Sequence, residues 1–317
     1  MTFRNVAIVG GGVIGSSWAL LFAMKKMNVN MYDINETCLF TAKNQIEKYM
    51  DNLIELDALN KDEKEAVFSR ISFTTDMKTA VKEAEFVQEN GPERIEIKRS
   101  ILKQIEDFAA ENTLIASSSS GLLISDIVAE AVHPERIVGG HPYNPPHLIP
   151  LVEITYSEKT SSETVQTVKE FYQSVGKEAV VLNKECPGYI ANRLQLAVYR
   201  EMIDLVCKGI CSVEDADKSL TFGPGLRWAI FGHNMILQLG NPGGLKGMLN
   251  MLGNAADVWL DDMADWKHIP DEYSENAQKA IDHMMENYPD EIGHTNEEII
   301  RYRDKMLVNI LKLHGKY

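Results

Sequence analysis

The 317-residue sequence predicts an α/β domain built on a doubly wound sheet, followed by an all-α domain. Three observations support this fold class. A strand, a glycine-rich turn and a helix open the chain, apolar β-type runs then alternate with helical segments up to Leu182, and only helical patterns follow Pro187. We therefore predict a domain boundary near Pro187, with a sheet domain over 1–186 and a helical domain over 187–317.

The first element is a β-type run, Asn5 to Val9, which leads into Gly10-Gly-Gly12-Val13-Ile14-Gly15 and then into a helix. A second apolar run ends at Asp33, so the segment has the strand–turn–helix setting and the later acidic residue of a dinucleotide-binding signature. Gly10 permits the tight turn, Gly12 lets a pyrophosphate approach the backbone, and Gly15 lets the helix pack closely on the sheet. Because Asp33 would accept hydrogen bonds from ribose hydroxyls and repel a 2′-phosphate, a Rossmann domain that binds NAD is predicted.

The rest of the sheet domain alternates between helical patterns and apolar β-type runs. The predicted helices are 36–58, 61–69, 95–111 and 160–175, the last opened by a capping box, Thr160-x-x-Glu163; the predicted strands are 71–74, 86–89, 114–117, 137–141, 151–155 and 178–182. Glu93 and Lys98 follow one strand at the edge where the carboxyl ends of parallel strands meet, and they either face the cofactor or are solvated charges at a helix start. Ser120 ends a serine run after the next strand, where it either binds a substrate oxygen or satisfies loop backbone groups.

His141 and Glu153 are the candidate proton-transfer pair. An apolar run ending in Gly-Gly-His is typical of a buried strand that stops at the ligand-binding edge. Three prolines then stiffen the turn, and the strand-like run Leu151 to Thr155 carries Glu153, which could accept the second ring N–H and raise the basicity of the imidazole. The alternative is a core histidine that a backbone carbonyl satisfies. No His, Cys or Asp grouping has metal-ligand spacing, so no metal is predicted.

The helical domain is predicted to begin with helices 189–208 and 212–220 and to end with one opened by Thr295-x-x-Glu298. Asn192 either reaches back into the cleft or is a surface or capping residue. Residues 222–232 form a glycine-broken aromatic segment that contains Arg227, Trp228 and Phe231. These side chains either wall the substrate pocket or belong to the core or a subunit interface.

Composition narrows the classes of partner. A formal charge of −14 argues against binding nucleic acid or an anionic membrane surface, and it favours a cationic substrate over a polyphosphate such as coenzyme A. No apolar run reaches the roughly 20 residues of a membrane helix, and the chain starts with a strand pattern instead of a signal peptide. A cytoplasmic location is predicted, with the four cysteines as reduced thiols.

Taken in order, these motifs resemble the L-3-hydroxyacyl-CoA dehydrogenase family over nearly the whole chain. They are the glycine signature with Asp33, the serine run to Ser120, Gly-His141-Pro-Tyr-Asn144-Pro, Leu-Val-Glu153 and Pro187-Gly-Tyr-Ile-Ala-Asn192-Arg. The His-Pro-Tyr-Asn and Phe222-Gly-x-Gly-Leu-Arg-Trp228 variants are similar to the branch that acts on free 3-hydroxy acids, which includes L-carnitine dehydrogenase and L-gulonate 3-dehydrogenase (lambda-crystallin).

The resemblance implies site residues at the matching positions. The implied catalytic residues are His141, Glu153, Ser120 and Asn192, and the implied cofactor contacts are the glycine loop with Val13 and Ile14, Asp33, Glu93, Lys98, Ser120 and Asn144. It also implies a homodimer formed through the helical domain. For substrate we expect a small 3-hydroxy acid, best L-carnitine, whose ammonium group would contact Tyr143, Trp228 and Phe231. The alternatives are L-gulonate, a short-chain 3-hydroxyacyl-CoA of fatty-acid metabolism, and a crystallin-like NAD-binding protein without activity.

Overall fold

The computed structural model describes residues 3–316, which divide into two compact units. One unit runs up to Ala191 and resumes at Asp304, and the other is Asn192–Arg303. The division therefore falls a few residues after the predicted boundary at Pro187. In addition, the final segment does not belong to the helical unit, because Val308 is buried in the core of the sheet unit.

The first unit is built on one sheet. Its strands are β1 Asn5–Val9, β2 Asn28–Tyr32, β3 Ile71–Thr74, β4 Phe86–Glu89, β5 Leu114–Ser117, β6 Ile137–Pro142, β7 Leu151–Thr155 and β8 Glu178–Val181. Their spatial order is β3-β2-β1-β4-β5-β6-β7-β8, with β1 to β6 mutually parallel. β7 runs antiparallel to β6, and β8 is parallel to β7. The predicted doubly wound α/β fold is confirmed.

Helices cover both faces of this sheet. They are α1 Val13–Met24, α2 Glu36–Glu55, α3 Lys64–Phe68, α4 Met77–Val81, α5 Ile95–Phe108, α6 Ile124–Ile127 and α7 Ser162–Ser174, with 3₁₀ turns at Lys61–Glu63, Val128–Glu130 and Pro134–Arg136. Alternate strand residues enter different core clusters: Val6 and Ile8 of β1 pack on one face, and Ala7 and Val9 pack on the other. This period-two division is the property expected of a sheet buried between two helix layers.

Several predicted helix boundaries were wrong: the helix predicted over 95–111 ends at Phe108, and the segment 61–69 is a 3₁₀ turn followed by α3. Two further differences have local reasons. The helix predicted to reach Ala58 ends at Glu55, because the chain turns at Asp57, which has a φ of 52°. Thr160 does not cap α7, since its hydroxyl donates to the carbonyl of Ile137 at 3.0 Å. Ser161 is the cap instead, and its hydroxyl accepts the amide hydrogen of Thr164 at 3.0 Å. Ser161 therefore caps α7, although Thr160 matches the capping-box motif.

The second unit is helical, as predicted. Its elements are α8 Ala191–Cys207, α9 Val213–Leu220, a π-type turn Thr221–Gly225, α10 Leu226–Trp228, α11 His233–Leu239, α12 Gly244–Asp262, α13 Tyr273–Glu286 and α14 Asn296–Leu313, of which α8 and α14 extend into the first unit. The capping box of α14 is confirmed, because Thr295 Oγ1 accepts from the Glu298 amide and Glu298 Oε2 accepts from the Thr295 amide.

Large apolar side chains of the second unit remain exposed. Its buried cluster is small, with Ile203, Tyr273 and Ala277 at its centre. By contrast, the exposed set includes Leu196, Phe222, Ile230, Leu239, Val258, Trp259 and Leu260. Exposed apolar residues in such numbers are typical of a surface that another protein covers.

Across residues 3–316, no helix combines the length and the apolar character needed to cross a bilayer.

Candidate active site

The turn between β1 and α1 is shaped by its glycines. Gly10 has a φ of +97°, and a Cβ there would lie 2.8 Å from the carbonyl oxygen of Asn90. A Cβ on Gly15 would lie 1.9 Å from the carbonyl oxygen of Gly10. Gly12 differs, because its added Cβ would meet no atom within 4 Å. The loop thus leaves open space in front of the first turn of α1, whose free amides are suited to a pyrophosphate.

Asp33 lies at the end of β2, beside this loop. Its Oδ2 accepts the amide hydrogen of Gly11 at 2.7 Å, and its Oδ1 accepts that of Ile34, also at 2.7 Å. The carboxylate is therefore fixed at the carboxyl end of the sheet, where a ribose hydroxyl could donate to its remaining lone pairs. The residues present fit a dinucleotide with an unphosphorylated ribose.

Substituting Gly12 separates cofactor binding from folding. We expect Gly12→Ala to unfold at the wild-type temperature, because the new methyl group meets no protein atom. The same methyl group would hold a pyrophosphate away from α1, so the Kd for NADH should rise roughly tenfold or more. Fluorescence titration of NADH checks this result. Gly232→Ala, also without atoms within 4 Å of its added Cβ, is the matched control and should bind normally. Equal NADH affinities would contradict the assignment.

His141 and Glu153 form a buried pair. They are direct partners in the antiparallel register of β6 and β7, so their side chains point to the same face of the sheet. His141 Nδ1 lies 3.0 Å from Glu153 Oε2, and the two residues are 6% and 1% exposed. An ionised carboxylate can only accept, so Nδ1 carries the proton and Nε2 has its lone pair free for a substrate proton.

Backbone amides hold the other oxygen of Glu153. The N–H groups of Ile190 and Ala191 donate to its Oε1 at 2.9 and 3.0 Å. Burial alone would raise the pKa of the Glu153 carboxyl, but the hydrogen bonds from His141 and from these two amides outweigh it and hold the pKa below its ordinary value. Glu153 therefore stays ionised at neutral pH and can stabilise an imidazolium at His141.

The serine run is held by a second carboxylate, Glu93. Its Oε1 accepts from the Ser119 hydroxyl at 2.6 Å and from the amides of Ser120, Gly121 and Leu122 at 2.9, 3.0 and 3.3 Å. Of the four serines, only Ser120 is exposed. Burial opposes the ionisation of Glu93, but the bond from Ser119 and the positive charge of Lys98 lower its pKa. Glu93 is thus an anchor that presents Ser120 at the surface of the loop.

Lys98 lies beneath this loop and is 1% exposed. Its ammonium group donates to both oxygens of Glu89 at 3.0 and 3.2 Å and to the carbonyl of Gly91 at 3.1 Å. Glu93 Oε2 lies 3.7 Å from the same nitrogen. Neither sequence interpretation describes this residue, because Lys98 is neither solvated nor on the crevice surface. It supports Glu93 from within the protein.

The remaining residues predicted to contact the substrate or the cofactor lie in both units, and most of them are exposed. Tyr143 and Asn144 directly follow β6, where the Tyr143 ring lies edge-on to His141 at a centroid distance of 6.4 Å and Asn144 is exposed. Asn192 follows Ala191 in α8 and belongs to the second unit. Arg227, Trp228 and Phe231 are exposed in that unit, with Trp228 38% and Phe231 50% accessible. The latter two are therefore not core residues.

Two sets of contacts at the candidate site were absent from the sequence analysis. Glu89, the last residue of β4, accepts from Lys98 and from the Ser117 hydroxyl. The amides that bind Glu153 lie 37 and 38 residues beyond it. A carboxylate that ends a buried strand, as in Phe-Val-Gln-Glu89, was a usable signal for the first contact. Backbone amides carry no residue-type signal.

The chain is similar to known dehydrogenases over nearly its whole length. The family model described as the NAD binding domain of 3-hydroxyacyl-CoA dehydrogenase matches residues 5–186, and the model of the C-terminal domain matches residues 188–280. A 3-hydroxyacyl-CoA dehydrogenase from Gibberella moniliformis is 39% identical over 97% of this chain and 94% of its own. An L-carnitine dehydrogenase from Streptomyces coelicolor is 34% identical over 99% of this chain and 95% of its own.

A solved structure has a similar fold over almost the full length. It is the NAD⁺-dependent 5-dehydrogenase of 5-formyl-3-hydroxy-2-methylpyridine 4-carboxylic acid, with a TM-score of 0.80 and 28% identity. The alignment covers 98% of this chain and 97% of that one. The fold of this chain is therefore similar to that of a known dehydrogenase.

Proposed function

Because the chain belongs to the 3-hydroxyacyl-CoA dehydrogenase family, we propose that it oxidises the 3-hydroxyl group of a small 3-hydroxy acid, with L-carnitine as the preferred substrate. It is an NAD-dependent oxidoreductase of the 3-hydroxy acid and 3-hydroxyacyl-CoA type. The observation that carries the proposed mechanism is the buried pair of His141 and Glu153, whose free ring nitrogen is available to a substrate hydroxyl.

In this mechanism His141 Nε2 removes the hydroxyl proton, and Glu153 stabilises the imidazolium that forms. Bound NAD supplies the hydride acceptor. Ser120 and Asn192 hold the substrate oxygen. Glu93 positions Ser120, and Lys98 keeps Glu93 ionised. The glycine loop with Val13 and Ile14, Asp33 and Asn144 contact the cofactor.

Four arguments favour a cationic free acid as the substrate. The relative from Streptomyces coelicolor is named for L-carnitine, and the chain carries a net charge of −14. Cation–π contacts of a quaternary ammonium group with Tyr143, Trp228 or Phe231 would contribute about 0.5 to 2 kcal/mol. α2 offers few basic groups for a coenzyme A phosphate, and the ammonium of Lys43 already lies 5.6 Å from the centroid of the Phe68 ring.

A short-chain 3-hydroxyacyl-CoA is the second candidate, because the relative from Gibberella moniliformis carries that family's name. NADH formation with L-carnitine, L-gulonate and 3-hydroxybutyryl-CoA separates the alternatives. We expect kcat/KM for L-carnitine to exceed the values for the other two substrates by roughly 10²-fold or more. The other two lack the ammonium group and therefore its cation–π contact, and they also fit the shape of the site less well. A higher value for the acyl-CoA would refute the preferred substrate. NADH binding without turnover on any of the three would indicate a binding protein.

We further propose that the second unit forms a homodimer. Support comes from its exposed apolar residues, among them Leu196, Ile230, Leu239 and Trp259, which a second copy would cover. A monomeric mass at micromolar concentration in sedimentation equilibrium would contradict this assembly.

A further inference from the structure

A cavity of about 390 Å³ lies in the first unit, away from the residues that carry out proton transfer. His141, Glu153 and Ser120 do not line it. Its walls come from the end of α1, the turn after α2, the connection between β6 and β7, the residues that precede β8, and Lys316 near the chain end. The volume lies within the range of small-molecule sites.

Lys177 is a buried cation on the wall of this cavity and is 4% exposed. Its ammonium group donates to the carbonyls of Pro146 and Ile149 at 2.6 and 2.7 Å, and it lies 4.8 Å from the centroid of the Trp18 ring. Among residues 3–316, no carboxylate pairs with it, and burial lowers its pKa to about 7. A buried ammonium without a carboxylate is costly, because carbonyl dipoles replace only part of its hydration.

Other positive groups lie on the same cavity. Lys25 and Lys316 line it and are exposed, and Asp57 is the one acidic residue in the lining. Glu178, next to Lys177 in the sequence, already pairs with Lys316. The cavity is therefore locally basic in a chain whose net charge is −14. Leu21, Met24 and Val175 supply an apolar wall.

We propose that this cavity binds a small organic anion, a carboxylate or phosphate compound, against the ammonium groups of Lys25, Lys177 and Lys316. The apolar wall accommodates its carbon skeleton. The site is separate from the proposed substrate site. Lys177 donates to two carbonyls of the β6–β7 connection, so a bound anion would stabilise that connection. The same connection joins the strands that carry His141 and Glu153.

Calorimetric titration of the full chain tests the proposal, with inorganic phosphate and citrate as separate probes and the dinucleotide site saturated with NADH. At pH 8, above the pKa of about 7, Lys177 is mostly neutral, and a bound anion should raise its pKa, so binding should take up protons. The other titratable groups that face the cavity are Lys25, Asp57, His147 and Lys316, with Glu178 beside Lys177. The heat of binding is measured in two buffers of different ionisation enthalpy at constant ionic strength. The difference between the two heats gives the number of protons taken up.

We expect saturable binding of at least one probe. In the double variant Lys25→Gln/Lys316→Gln the affinity should fall roughly tenfold or more. The matched control, Lys82→Gln/Lys159→Gln, changes the net charge equally at exposed sites elsewhere and should retain the affinity. These variants leave the buried Lys177 bonds intact, so folding is preserved. No saturable binding of either anion, equal weakening in both double variants, or binding without proton uptake would overturn the proposal.

Discussion

Replacing His141 by glutamine is expected to lower kcat by about 10²- to 10⁴-fold and to leave the Kd for NADH within about twofold. Glutamine occupies a similar volume and can still donate to Glu153 Oε2, which now lies 3.0 Å from the ring nitrogen. It has no nitrogen that takes a proton near neutral pH. The variant therefore removes the base and keeps the pair's packing.

Stopped-flow measurement of NADH formation under saturating substrate separates the chemical step from cofactor binding. His133→Gln is the matched control, because the side chain of that histidine is 44% exposed and its Nδ1 lies 3.2 Å from Glu135 Oε1. It should behave as wild type. If His141→Gln retains more than about a tenth of the wild-type kcat, another group is the base.

The second large effect is expected for Glu153→Gln, with a fall in kcat on the order of 10³-fold. The variant loses the negative charge that stabilises the imidazolium. One amide oxygen cannot replace two carboxylate oxygens that accept from His141, Ile190 and Ala191, so at least one buried donor loses its acceptor. An unpaired buried donor costs about 1 to 3 kcal/mol, which should lower the unfolding temperature as well.

The stability loss should depend on pH. The folded-state pKa of Glu153 lies below its ordinary value of 4.5. The negative charge of Glu153 therefore stabilises the folded state at pH values above 4.5, and this stabilisation is lost as the pH falls below 4.5. The difference in unfolding temperature between wild type and Glu153→Gln should be full at pH 7 and shrink below about pH 4. Glu158→Gln, at an exposed position, is the control. A difference that stays constant down to pH 3 would show that Glu153 is not ionised.

Sequence patterns predicted the fold and the residue types of the site for physical reasons. The glycine turn was recognisable because Gly10 and Gly15 each meet a separate steric demand, as the 1.9 Å approach at Gly15 illustrates. The pairing of His141 with Glu153 was predictable because a strand, a proline-stiffened turn and a second strand imply a local hairpin. Their placement on the same face then followed from the register.

The remaining features depend on contacts between distant segments. Lys98 sits at a helix start in the sequence, and its burial becomes evident only when Glu89 and Gly91 are known to lie beside it. Lys177 follows a glycine after a helix, a typical surface position, yet its ammonium group lies over the Trp18 ring and donates to two carbonyls. The sequence contains no local signal for either arrangement.

The cross-strand pairing of His141 with Glu153 makes the length of the intervening loop a determinant of chemistry. Side chains alternate between the two sheet faces, so a one-residue slip of β7 would bring Val152 or Ile154 opposite the imidazole. The ring would lose its carboxylate, and Val152 and Ile154 would leave the core cluster that they now occupy. A single-residue deletion between Pro142 and Leu151 that shifted this register would thus separate the carboxylate from the imidazole without altering either residue of the pair.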